Sequence, residues 1–366
     1  MSRLESVSKV YSAKVDKLRA ATSSRFGTAL FLKSLLISSF LTLALTPLSD
    51  QLGCYNQAFA AEKSSKSVKQ APKSAQKNLR SIKRKPSLAP PKAGDPVRGW
   101  SYLVQRLVDN GVNRDEVVAI YSDPRMPERT FVPFGVKPRE SAAIYSGFKR
   151  PEHAQTGANF IARNASTFNH MEDKLKVPRE VVAAIIVVES QAGKNTGSHN
   201  VLYRLSRIAT TSAPDNIQEN YVYQKKLNPK VTFDDVRRRA SYLERTFLPE
   251  IPALLTISKR NKVDPLTLKG SIAGAFGLPQ FLPSALIRFG IDGDGDGAIS
   301  LHDEQDAIWS AGNYLAHFGY KRQIPLQEKR SIIWRYNKSR SYIDTVLSLS
   351  ESIANATPRD DAPPAR

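Results

Sequence analysis

Apolar residues recur at helical spacing through most of the chain. In "WSYLVQRLVDNGVNRDEVVAIYSD" (100–123), Tyr102, Leu103, Leu107 and Val108 share one face; after the Asn110-Gly111 break, Val117, Val118 and Tyr121 share another. Two short helices are predicted there. A crossover containing Pro and Arg (124–140) leads into "HAQTGANFIARNASTFNHMEDKLK" (153–176), a further amphipathic run. The stretch "VPREVVAAIIVVESQAG" (177–193) is almost wholly apolar until Glu189. Pro178 suits a first helical turn and Gly193 a C-terminal cap, so this is a helix whose end carries an acid. Strand-like alternation is scarce and there is no internal repeat. The pattern therefore predicts a mainly α protein, with at most a short β element near the acidic segment after residue 291 and a frayed tail over 353–366.

The first sixty residues follow a different pattern. Arg3, Lys9, Lys14, Lys17, Arg19, Arg25 and Lys33 precede the apolar run "SLLISSFLTLALTPL", and Ala58-Phe59-Ala60 offers small residues at the two positions a signal peptidase reads. Residues 1–60 thus read as a secretory signal cut after Ala60, which places the protein in the periplasm or cell envelope. A lipoprotein signal cut before Cys54 competes with this, but Gln51 stands where such a signal wants an aliphatic residue. A retained membrane anchor is a third reading, set against an apolar run shorter than the roughly twenty residues of a span. A cut at Ala60 removes Cys54, the single cysteine, and with it any disulfide or thiol nucleophile.

Charge alters the picture once it is located. The formal net charge is +20 over 366 residues, yet residues 61–98 alone carry eleven Lys or Arg against Glu62 and Asp95, with almost no aliphatic side chains. This is a disordered basic linker, suited to anionic envelope polymer or a membrane surface, or serving as a solvated spacer. Residues 99–366 retain only about +7, and the linker has no stacking aromatics, so no nucleic acid is expected as a partner. A hydrophobic content of 41% can fill a core. The folded domain is expected over 99–352, with a helical N-terminal part (99–175) and a core (176–352).

Glu189 is the first candidate for chemistry. An apolar wall and the negative end of a helix both penalise its carboxylate, so each raises its pKa and suits it to act as a general acid. A Glu turning outward at a helix end is the alternative. Beside it, Ser190 bonds locally or reaches outward.

The segment "GSIAGAFGLPQFLPSALIRFGIDGDGDGAISLHDEQDA" (270–307) holds the second candidate. Asp292, Asp294 and Asp296 fill positions 1, 3 and 5 of an EF-hand-like loop, and Gly297 the turn at 6. Ala298 offers a backbone carbonyl at 7, Ile299 an aliphatic anchor at 8, Ser300 position 9, and Asp303 position 12. Because no second loop accompanies it, a structural Ca²⁺ is expected, bracing the segment before the loop against the helix after it. Asp303 in place of Glu points to modest affinity. The five histidines show no zinc spacing. The small residues of 270–277 either let a polysaccharide lie close to the backbone or let elements pack closely.

Taken in order, "VPREVVAAIIVVES", "SIAGAFGLPQFLPS", the acidic loop, "DAIWSAGNYLAHFGY" and "RYNKSRSYIDTV" resemble the lytic murein transglycosylases, most of all the B type, over roughly residues 98–350. The resemblance implies a lysozyme-like, mostly helical fold with a peptidoglycan groove. In that family a single Glu cleaves the MurNAc–GlcNAc β-1,4 bond and leaves a 1,6-anhydro-MurNAc end. Glu189 matches the catalytic Glu, with Ser190 beside it in the proposed substrate-binding set. Ser271 and Gln280 match groove residues, Tyr336 and Asn337 the Tyr-Asn pair facing the Glu, and Tyr314 and Tyr342 tyrosines that contact sugar. Two departures stand out. "ATTSAPDN" (209–216) lacks the family's basic pair, so its contacts to the stem peptide do not carry over, and Pro279 is less usual for the B type.

The residues themselves agree with that chemistry. Two-carboxylate glycosidases need a second acid, and none is evident. The motifs supply neutral groups instead, which suits a reaction whose nucleophile is the substrate's own 6-hydroxyl. Other readings are a non-catalytic peptidoglycan-binding protein and a muramidase releasing reducing ends.

Overall fold

A computed structural model describes residues 88–136 and 144–357, and the expected leader, most of the linker and the last nine residues lie outside the described residues. No described helix is long and apolar enough to cross a membrane. The chain begins to fold slightly before the expected boundary at 99: the Asp95 carboxylate accepts from the backbone N–H of Val97 and Gly99, and Val97 is buried. Two helices follow, α1 (Ser101–Asp109) and α2 (Arg114–Ser122), where the periodicity put them. A 3₁₀ turn, Ser146–Lys149, enters α3 (Pro151–Arg163). The amphipathic run at 153–176 is thereby divided, because Asn164 ends α3 and starts α4 (Ala165–Leu175).

At the centre lies α5 (Arg179–Ser190), with Val181 through Val187 all buried. A helix apolar all round has to be wrapped on all sides. Its wrapping comes from α3, α4 and two later helices, α11 (Glu304–His317) and α13 (Arg340–Ala356). Before them come α6 (Val201–Ala209), α7 (Pro214–Leu227), α8 (Phe233–Phe247), α9 (Glu250–Arg260) and the short α10 (Pro283–Phe289); α12 (Leu326–Tyr336) precedes α13. The last helix continues to Ala356, so the tail expected from 353 begins later than the composition suggested.

Sheet structure is confined, among the described residues, to β1 (His199–Asn200) paired antiparallel with β2 (Lys269–Gly270), and a bridge between Phe276 and Phe281. The strands precede the acidic loop and join segments distant in sequence. This mostly helical body with its small sheet has the lysozyme-like character that was expected.

The crossover over 131–134 has no strand to pair with, so α7 supplies partners from side chains. Asn216 and Asn220, one turn apart and fully buried, accept from the N–H of Val132 and Phe134 and donate to the carbonyl of Val132, and Gln224 donates to Phe134 O. Satisfying buried backbone groups is obligatory, and amides at i, i+4 and i+8 do so along one helix face. Between α1 and α8, the buried Glu244 accepts from Arg106 at 2.7 Å and Tyr102 at 2.8 Å.

Candidate active site

Glu189 sits on the last turn of α5. The helix stops one residue later, because Gln191, Ala192 and Gly193 all take positive φ (53°, 56° and 87°). Two successive non-glycine residues in the left-handed region cost free energy, about 1 kcal/mol or more each, and the turn they form needs support. Ser190 supplies it: its hydroxyl donates to Ile186 O and accepts from Gly193 N. Ser190 is almost fully buried. Its hydroxyl, expected to serve substrate, is engaged on both sides here and organises the turn that presents Glu189. The sharp stop at Gln191 rather than Gly193 is what places the carboxyl at the end of the buried helix and part of its surface in the open.

Burial pushes the Glu189 carboxyl up to about 7, against a hydrogen bond from Tyr342 that lowers it. That bond runs from the Tyr342 hydroxyl to Glu189 Oε1 at 2.7 Å. Among the described residues no second carboxylate acts on Glu189. Tyr342, the third residue of α13, is itself held with its phenol pushed well up by burial and by the Glu189 charge.

Behind Tyr342 the other aromatic candidates form a connected wall. Tyr336 stacks parallel to it with ring centroids 6.3 Å apart, and its hydroxyl donates to Pro279 O at 2.5 Å. Tyr314 lies against Tyr336 at 4.9 Å, and also against Phe281, Phe289 and Phe318. Tyr314 is completely buried. Tyr314, expected to contact sugar, here backs Tyr336 from within the aromatic cluster. Asn337, at the end of α12, is buried, and its side-chain Oδ1 has no hydrogen-bond partner. A buried acceptor left unpaired costs about 1–3 kcal/mol, so a ligand donor there would recover a real penalty.

The segment from 270 to 280 folds into tight turns. Ser271 accepts from Ala275 N through its hydroxyl, while its own N–H donates to Ala275 O at 2.7 Å. Gln280, at φ 51°, donates through its side-chain amide to Thr196 O and Gly277 O. The small residues answer to packing. A Cβ on Gly277 would come within 2.3 Å of Leu301 Cβ, and one on Gly197 within 2.2 Å of the Gly270 backbone. Of the two readings of this stretch, close approach of protein to protein accounts for these glycines.

The acidic loop differs from the twelve-residue pattern at its end. Asp292, Asp294 and Asp306 bring three carboxylate oxygens within 4.8 Å of one another. Asp303 stays outside this cluster: it caps α11, accepting from Gln305 N and Asp306 N. The chain turns between Ser300 and Asp303, which delays the closing carboxylate by three residues and brings it from the first turn of α11. Asp306 is nearly fully buried, accepts from Gly293 N and Ser300 N, and has its pKa raised by burial and by Asp294 and Asp303. Asp292 accepts from Gly295 N and Gly297 N, both glycines at positive φ. Asp296 is exposed and accepts from Ala298 N. An all-oxygen set of this kind fits a hard divalent cation.

Two residues that sequence reading missed belong here. Asp306 was hidden by a good match to the shorter loop. Tyr145 stands edge-on to Tyr342, with ring centroids 5.9 Å apart, and lies in a stretch without helical periodicity, where nothing marked it. A third, Glu250, is fully buried and pushed up to about 7 by that burial, but its role is local: it accepts from Ser284 N and Oγ at the start of α10.

Known proteins bear on this geometry. Over 173 residues the chain is 32% identical to membrane-bound lytic murein transglycosylase B of Escherichia coli K12, an alignment covering 47% of this chain. The chain spans only 40% of the length of that curated relative. Among solved structures, Escherichia coli lytic transglycosylase Slt35 in complex with calcium superposes with a TM-score of 0.53 at 22% identity, covering 76% of this chain and 98% of that one. SltB3 from Pseudomonas aeruginosa in complex with NAG-anhNAM-pentapeptide gives a TM-score of 0.50 at 18% identity, over 72% and 82%. At such identities the structures speak for the fold. The family described as the transglycosylase SLT domain matches residues 98–330, and the chain belongs to that family.

Proposed function

We propose that the protein is a lytic transglycosylase that cleaves the MurNAc–GlcNAc β-1,4 bond of peptidoglycan glycan strands. The observation that carries this reading is a lone carboxyl group raised to about 7, bonded to a tyrosine and acted on by no second carboxylate among the described residues. Near neutrality such a group holds a proton much of the time and remains able to take one back. With Tyr342 donating to Oε1, Oε2 carries the acid proton. Glu189 gives that proton to the glycosidic oxygen as the C1–O bond breaks. The carboxylate then accepts the proton of the MurNAc 6-hydroxyl as its oxygen bonds to C1, closing the 1,6-anhydro ring and returning Glu189 to its starting form. Ser271, Gln280, Tyr336, Asn337 and Tyr342 bind or border the sugar, and the orphan Oδ1 of Asn337 accepts from it. Ser190 and Tyr314 support the site from behind.

Asp292, Asp294 and Asp306 are assigned to a structural Ca²⁺, with Asp296 and the backbone at Ala298 flanking it. Such an ion would tie the 270–280 segment, which carries two groove residues, to α11. The calcium complex of Slt35 supports this choice of ion. The leader and the basic linker support export to the envelope, where murein lies, with the folded domain, from about Asp95 to Ala356, held on a tether. The test of function is release of soluble fragments from purified sacculi: the wild type should release them, and Glu189→Gln should lower the rate by roughly 10²–10⁴-fold, as for loss of a general acid. Full activity in the Gln variant would remove Glu189 from the reaction.

A further inference from the structure

A groove of about 1090 Å³ opens between the Ser146–Lys149 turn with the start of α3 on one side and one face of α13 on the other. Its head is Tyr145, which packs edge-on against Tyr342, the residue bonded to Glu189. The groove thus begins one aromatic ring from the acid. Along α13 it is lined by Ser341, Ser348, Ser352 and Asn355, groups able to donate to and accept from amides, with the apolar Leu349 and Ala356 among them. Its wall carries Lys149 and Arg150, both exposed. Neither side chain forms an ion pair or hydrogen bond among the described residues. The acid on α13, Asp344, is already engaged by Arg330 at 2.6 Å, so the two cations face the groove unneutralised.

We propose that this groove receives the acidic stem peptide of the murein strand being cleaved, with Lys149 and Arg150 meeting its carboxylates. The inference rests on the reading of Glu189 as the cleavage site and deepens it by placing the peptide that the sugar carries. Length agrees with the assignment. From Tyr342 to Ser352 the helix rises about 15 Å at 1.5 Å per residue, and five extended residues reach roughly 17 Å. Charge agrees as well, since a stem peptide whose end is not cross-linked carries a terminal carboxylate and the free side chains on the wall are cations. The cations also stand elsewhere than the 209–216 segment, where the sequence lacks a basic pair. In this chain, recognition of the peptide would then rest on the turn that carries Lys149 and Arg150.

The test is sedimentation of the full chain carrying Glu189→Gln with native sacculi and with sacculi whose peptides have been removed by an amidase. Native sacculi should bind more tightly, by roughly three- to tenfold, the scale of two exposed charge contacts. Adding Lys149→Glu and Arg150→Glu should abolish that preference. The basic linker is present in both proteins and cancels in the comparison. Lys149→Ala with Arg150→Ala serves as a milder pair should the reversal disturb folding. A preference that survives both pairs, or equal weakening on both kinds of sacculi, would overturn the proposal. Fragment release measured in the same samples shows separately whether Glu189→Gln has stopped cleavage, so failure of the catalytic reading is distinguishable from failure of the groove.

Discussion

Replacing Glu189 by Gln should stabilise the folded chain at neutral pH while removing its chemistry. The carboxyl ionises near 4.5 when exposed and near 7 in the fold, chiefly because of burial. Between those two values the unfolded chain has released a proton that the native chain still holds, so stability falls as pH rises through the window and levels off above about 7. At about 1.4 kcal/mol per pH unit, the native state gives up about 1 kcal/mol by pH 5 and about 3 kcal/mol by pH 8. Gln keeps the shape and the bond from Tyr342 without the charge, so the variant should gain that amount. For a domain of this size, 3 kcal/mol corresponds to roughly 5–10 °C in Tm. Glu250, also raised to about 7, titrates in both proteins and cancels in the difference. The assay is urea unfolding of wild type and variant at pH 5, 6, 7 and 8, with the difference plotted against pH. A difference that stays flat from pH 5 to 8, or a variant less stable at pH 8, would refute the account of a desolvated acid.

Tyr342→Phe removes a bond that lowers the Glu189 pKa; the alkaline limb of the activity profile should move to higher pH, and an unmoved limb would show that the bond does not tune the acid. Calcium should raise Tm by mass action; Asp306→Ala should abolish that rise, whereas Asp303→Ala should cost about 0.5–2 kcal/mol of stability through the lost cap and keep the rise. Retention by Asp306→Ala with loss in Asp303→Ala would restore the twelve-residue loop. Gly277→Ala places a Cβ at positive φ and within 2.3 Å of Leu301, which should destabilise by about 2 kcal/mol or more; denaturation midpoints decide it, and an unchanged midpoint counts against the packing role.

Periodicity and composition carried much of this arrangement. The apolar run of α5 could only be a buried helix, and an acid at its end had to be desolvated or turned out; the structure shows the former. The order of motifs pointed to the fold. What escaped reading depended on which way individual side chains turn. Ser190 follows Glu189 directly, yet a helical residue points about 100° away from its neighbour, and this one turns inward to hold the left-handed turn. Tyr314 belongs to a helix with two apolar faces, and the pattern does not say which faces the cleft. The metal-loop template could be satisfied at Asp303, and only the turn after Ser300 reveals that Asp306 closes the cluster. Nothing in the sequence marked Asn216 and Asn220, because a strand substitute made of side chains leaves no periodic trace.

The central claim is that one carboxyl group serves as acid and then as base while the substrate's own hydroxyl closes the ring. Mass spectrometry of the fragments released from purified sacculi tests it most directly. The account predicts fragments ending in 1,6-anhydro-MurNAc, each lighter by one water than the product of hydrolysis. Fragments ending in reducing MurNAc would contradict it, because water would then have taken the place assigned to the 6-hydroxyl.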